Sequence, residues 1–191
     1  MTDIDQPSAS ALPWDEPEPV RGHFVIGLIL IAVAAFLMIQ QDAFKTVEAS
    51  VTSWVLQFFT AGGTASAGDV VYYGLGTDSV NGLQITTLCS TVILVTPLLA
   101  LAGVLLMLPR FRVRFVARGL GLALALVILC NFLRYCSAAL AMQLAGREGF
   151  DVVHRYLGSV LVILGFAAAF ILLLRIGANG RLRKRSSGRH E

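Results

Sequence analysis

Four long apolar runs, at residues 24–39, 88–108, 119–144 and 157–176, limit what this chain can become. Each approaches the ~20 residues an α-helix needs to cross bilayer hydrocarbon; the first is short and can extend past Gln40. None contains an Asp or a Glu. With 56% hydrophobic and 14% charged residues over a length of 191, the chain is too apolar for a water-soluble domain of this size. The expected fold is an all-α membrane protein. It is a multi-pass helical bundle of about four transmembrane spans with a semi-polar extracytoplasmic segment at 41–86.

The flanks divide the chain into three parts. Residues 1–22 are rich in Pro and acidic residues and are expected to form a disordered cytoplasmic tail. Residues 23–177 form the transmembrane domain, and 178–191 a basic cytoplasmic tail. The long acidic leader argues that the first run is an uncleaved span rather than a signal peptide.

Orientation follows from arginine and lysine in the short connections. Arg110, Arg112, Arg114 and Arg118 separate the second and third runs, and Arg181, Arg183, Lys184, Arg185 and Arg189 follow the fourth. Both clusters are expected to face the cytoplasm. That puts 41–86 and 146–156 outside and both termini inside. The same clusters attract anionic lipid. The net charge of +3 reads as topology and not as nucleic-acid binding, because no nucleic-acid-binding signature accompanies it.

Within 41–86, residues 46–59 read as an amphipathic interfacial helix with Val47, Val51, Trp54, Val55 and Phe58 on one face. Residues 61–68 read as a Gly- and Ser-rich loop. Residues 70–86 read as a β-ribbon turning near 78–82. If ordered, this segment is suited to receive an extended peptide beside Cys89.

Three residues on different runs then converge on the outer side. Cys89 opens the second run. Arg134 lies about two-thirds of the way out along the third, at ~1.5 Å rise per residue. His154 precedes the fourth. A thiol in the first turn of a helix beside a cation has a lowered pKa. An arginine within a span is expensive and points to function; with no carboxyl group in the runs to pair with, it can hold a developing oxyanion. Asn131, three residues before it, shares its helix face. A histidine supplies acid–base chemistry, and Asp151 can orient one of its ring nitrogens. Cys130 and Cys136 read as packing residues, and three cysteines leave one unpaired under any single disulfide. His23 lies on the inner side and His190 in the tail. Too few ligands gather for a metal, and no cofactor is implied.

These positions, as CST at 89–91, NFLR at 131–134 and FDVVHRYLG at 150–158, resemble the motifs of the exosortase/archaeosortase family of membrane cysteine transpeptidases. The resemblance covers about residues 82–174. Thr91 stands where the family has a glycine. The resemblance implies catalytic Cys89, Arg134 and His154, supported by Asn131 and Asp151. It implies cleavage of C-terminal sorting signals of exported proteins at the outer face of the cell membrane. Such substrates carry a short motif, a transmembrane helix and a basic tail. The competing class is a non-enzymatic membrane scaffold, or a small anion carrier that uses Arg134. Against a carrier, no internal repeat is visible and only Pro97 interrupts a run.

Overall fold

The computed structural model describes residues 20–108 and 111–186. The leader at 1–19, Arg110, Arg189 and His190 lie outside the described residues. Helix α1 (Val20–Ile39) leads into α2 (Gln41–Leu56). A three-stranded antiparallel sheet follows: β1 (Gly63–Ala67), β2 (Val70–Leu75) and β3 (Asn81–Gln84), in that spatial order. A 3-10 turn (Thr87–Cys89) precedes α3 (Thr91–Met107). Then come α4 (Val113–Val152), a π-helical turn (Val153–Leu157) and α5 (Gly158–Ser186).

The fold is therefore mostly helical, and the small sheet corrects the all-α expectation. Residues 61–68, expected to be a loop, contribute β1. Small side chains give the sequence GTASA little strand propensity of its own. Tertiary contacts hold it instead: Thr64 Oγ1 donates to Ser53 O of α2 (2.9 Å) and Ser66 meets Ser50 (3.3 Å). Gly68, at φ 61°, opens the two-residue connection to β2, where a hairpin favours a residue at positive φ. The expected ribbon over 70–86 forms from β2 and β3, connected by residues 76–80.

Helix ends also depart from the run boundaries. α1 starts at Val20, inside the segment expected to be disordered. α3 starts two residues after Cys89, where the Ser90 side chain accepts from Val92 N and caps it. The connection at 146–156 is helical. α4 kinks at Gly146, whose φ 64° and ψ −155° are essentially restricted to glycine. α5 runs through the start of the basic tail to Ser186.

Two stretches, Gly22–Ile39 and Val113–Ala178, are long and apolar enough to cross a membrane; α3 is apolar but shorter. Their outward faces carry exposed Phe24, Leu28, Phe36, Leu129, Ile163 and Leu164. The inward faces of α3, α4 and α5 enclose Leu98, Ala102, Leu106, Val116, Ala123, Val127 and Leu173. A second cluster joins α2, the sheet and α4 through Leu56, Val71, Tyr73, Ile85, Tyr135 and Ala139.

α1 crosses α3 at a glycine pair. A Cβ on Gly27 would lie 2.6 Å from Gly103 O, and one on Gly103 would lie 2.7 Å from Gly27 O. Backbones approach this closely only where both side chains are absent. Gly103→Leu is therefore expected to lower the thermal midpoint of the detergent-solubilised protein, reflecting an overpacking cost of ~1–3 kcal/mol. Gly121→Leu is the control, since a Cβ there meets nothing within 4 Å. Equal midpoints for the two variants would dismiss the close crossing.

Candidate active site

The site forms where the 3-10 turn, the middle of α4 and the π-helical turn meet. Cys89 lies in the 3-10 turn, ahead of α3 and outside every apolar helix. Its Sγ is 3.4 Å from Arg134 Nη2, which donates to it, and 3.8 Å from His154 Nε2. Cys89, Arg134 and His154 thus come from three separate elements to one point. They line a cleft of about 480 Å³ with Thr86, Leu88, Arg155, Ser159, Val162 and Ile163.

The geometry acts on the thiol. Burial pushes Cys89 up, but hydrogen bonds with the His154 and Thr86 side chains, and the charges of Arg134 and His154, outweigh it. The net result is a pKa lowered to about 7. A substantial thiolate population near neutral pH follows, and the thiolate is the nucleophilic form.

Arg134 is only 8% exposed, and its Nε has no hydrogen-bond partner. Neither ion pair found among the described residues includes it. Its place is set by close packing: a Cβ on Gly158 would lie 2.8 Å from Arg134 Cγ. His154 stacks on Phe150, with ring centroids 5.0 Å apart and planes 8° apart. That stacking and the Nε2 contact with Cys89 Sγ fix the imidazole plane.

Asp151 does not orient His154. Its carboxyl lies 3.8 Å from Arg155 Nε, while His154 Nδ1 is buried without a partner. Residues three and four apart both share a helix face; Asp151 meets Arg155, four residues on, and not His154, three residues on. Asn131 is at the site, yet it does not touch the Arg134 guanidinium. Its Nδ2 lies 3.0 Å from Cys89 O, 2.9 Å from Thr91 Oγ1, 3.1 Å from Glu48 and 3.1 Å from Tyr135 Oη. It supports the turn that carries the thiol.

Two residues at the site were not identified from the sequence. The Tyr135 hydroxyl has both Cys89 O and Glu48 Oε1 within hydrogen-bond reach, its one proton shared between them. Glu48, on α2, accepts from Ser90 Oγ at 2.9 Å, from Thr91 N at 3.0 and 3.1 Å, and from the Thr91 hydroxyl. Thr91, standing where a glycine was expected, thus gives its side chain to this network. A signal was present in α2: Lys45, Glu48, Thr52 and Ser53 are buried, while Val47, Val51 and Trp54 are exposed. The polar stripe of that helix packs inward and the apolar stripe faces out.

Cys130 is buried and Cys136 half-buried, and both are free thiols. Among the described residues, no group of His, Cys, Asp or Glu could hold a metal ion. The chain matches no family model, no curated protein and no solved structure.

With Cys130 and Cys136 replaced by alanine, alkylation of Cys89 by iodoacetamide is expected to rise through an inflection near pH 7. Because the folded thiol titrates low, reactivity is present above that pH and lost below it. Arg134→Ala and His154→Ala should each move the inflection up toward the ordinary ~8.5. Asp151→Ala should leave it in place. A wild-type inflection already near the ordinary value would contradict the coupling of the three groups.

Proposed function

We propose that this chain is a membrane-embedded cysteine peptidase or transpeptidase of the exosortase/archaeosortase kind. It acts at the extracytoplasmic face of the cell membrane on C-terminal sorting signals of exported proteins. The observation that carries the reading is the Cys89 thiol held by a buried arginine and a histidine at the head of an open cleft. A low thiol pKa and a positioned cation are what cysteine acyl transfer requires.

On this reading α1, α3, α4 and α5 span the bilayer as a bundle, with both termini in the cytoplasm. The outward apolar faces of those helices support it. So does the chain's length: from Val113 to Arg134, α4 rises ~32 Å, against a hydrocarbon thickness of ~30 Å. Arg112, Arg114 and Arg118 mark the cytoplasmic end and the catalytic cleft the outer end. The apolar stripe of α2 meets lipid at the outer interface while the sheet lies above it.

The chemistry proceeds in two halves. The Cys89 thiolate attacks the scissile carbonyl carbon, forming a C–S bond and moving an electron pair onto the oxygen. The Arg134 guanidinium donates to that oxyanion. The oxyanion collapses, the C–N bond breaks, and His154 Nε2–H gives its proton to the departing amine. A thioester remains on Cys89. An incoming amine or water attacks it, His154 takes the proton of that nucleophile, and the C–S bond breaks to restore the thiolate. The substrate presents a short motif at the outer interface, followed by a transmembrane helix and a basic tail. β3 is an edge strand and leads directly into the Cys89 turn. Its outer backbone groups suit an extended peptide laid alongside.

A second reading, an anion carrier or scaffold, draws on the unpartnered Nε of Arg134. It assigns no task to a low-pKa thiol in contact with that arginine.

Cys89→Ala is expected to abolish processing of a co-expressed substrate, while Cys130→Ala and Cys136→Ala retain it. Arg134→Lys should lose most activity, because a point charge does not reproduce the planar fork. Processing is read as loss of the C-terminal segment by mass spectrometry of the exported protein. Full processing by the Cys89→Ala protein would overturn the mechanism, and wild-type rates in Arg134→Lys would remove the arginine from its oxyanion role. In intact cells, a membrane-impermeant maleimide should label Cys89 from outside; labelling only after lysis would reverse the topology.

A further inference from the structure

The Glu48 carboxyl is only 9% exposed and sits among donors drawn from two other elements. No cation pairs with it among the described residues. Burying such a group is unfavourable unless hydrogen bonds satisfy it. Here they do. Ser90 Oγ, Thr91 N and Thr91 Oγ1 reach it from the residues just after Cys89, and Asn131 Nδ2 and Tyr135 Oη from α4.

The same two α4 groups also reach Cys89 O. Each therefore bridges Glu48 and the backbone of the nucleophile. Residues 89–91 are clamped on both sides: the Cys89 carbonyl by Asn131 and Tyr135, and the Ser90–Thr91 segment by Glu48 itself. A clamped backbone fixes the direction in which the Cys89 side chain leaves it. Glu48 touches neither Sγ nor Arg134.

We infer that Glu48 is a positioning residue, holding the 3-10 turn so that the Cys89 thiol points at Arg134 and His154. This deepens the cysteine-nucleophile reading and rests on it. The charged or titratable groups around the thiol are Arg134 and Tyr135 from α4, His154 from the π-helical turn and Glu48 from α2; Arg155 lines the same cleft. Removing the Glu48 carboxyl leaves Arg134 and His154 intact. It frees the turn, so the thiol loses its contact with Arg134 and His154.

The test is the pH dependence of Cys89 alkylation in the full chain, with Cys130 and Cys136 replaced by alanine, for wild type, Glu48→Gln, Glu48→Ala and Glu48→Asp. Thermal midpoints are measured in parallel. Glu48→Ala is expected to move the inflection upward from near 7 toward ~8.5, slowing alkylation at pH 7 by about tenfold or more. Glu48→Gln keeps the size but sets an NH2 among donors, so it should shift in the same direction by less. Glu48→Asp, which keeps the acceptors on a shorter arm, should recover part of the effect.

A purely structural role would lower the midpoint and leave the inflection of the folded protein where it was; that outcome overturns the inference. If Glu48→Ala does not fold, Glu48→Gln decides alone: an unmoved inflection rejects the positioning role and an upward shift supports it. Failure of the underlying reading looks different. In that case the wild-type thiol itself titrates at the ordinary value, whatever residue 48 is.

Discussion

One carboxyl group ties three helices of this molecule together. Glu48 accepts from Ser90, Thr91, Asn131 and Tyr135, so α2, the start of α3 and the middle of α4 meet at one pair of oxygens. An unpaired polar group at such a depth would cost several times what an ordinary hydrogen bond contributes, so the donors must all be in place together. That mutual requirement specifies geometry more sharply than apolar packing, which tolerates substitution when volume is kept. The turn carrying Cys89 lies inside this requirement, and its backbone takes the place the network leaves for it.

The polarity of α2 follows from the same fact. In a water-soluble domain its Val47, Val51 and Trp54 would face the core and Glu48 the solvent. The reverse is found: the polar face is buried and the apolar face open. The outer surfaces of α1 and α5 are apolar as well, and α1 approaches α3 through glycine against glycine. Where the surroundings are as apolar as leucine, burying leucine does not drive association; close backbone approach and interior hydrogen bonds do. The proposed bilayer setting makes one pattern of three observations that would each be a liability in water.

That inversion explains what was legible in the sequence. Apolar runs longer than a soluble core helix needs marked α1, α3, α4 and α5, and chemistry-bearing residues opening one run, within another and just before a third marked Cys89, Arg134 and His154. Helix ends were less legible, because polar residues such as those at 147–152 continue a helix as readily as they end it. β1 was hidden because Gly63, Thr64, Ala65, Ser66 and Ala67 have little preference of their own and pair through contacts with α2. Glu48 was hidden because a search for charge inside apolar runs passes over a carboxyl brought in by a helix outside them. Asp151 was misassigned because helical spacing offers its carboxyl both His154, three residues on, and Arg155, four residues on, and it meets the arginine.

The contrast between the two buried charged side chains at the site bears on what it does. Glu48 is surrounded by donors; Arg134 keeps a bare Nε and leans on a sulfur. A structural arginine at that depth would be expected to find a carboxyl group, and Glu48 is close at hand on the far side of Cys89. The two do not pair. The hydrogen bonds of Glu48 are directed to the turn and that of Arg134 to the thiol, and Arg134 lines the cleft together with Cys89. An anion entering the cleft beside Arg134 meets Cys89 Sγ at the same time. A carrier gains nothing from a nucleophile in its binding site, whereas an acyl-transfer site needs the developing oxyanion and the attacking sulfur within reach of one cation. On the proposed reading the cleft beside Arg134 is the space kept for charge that appears only during reaction.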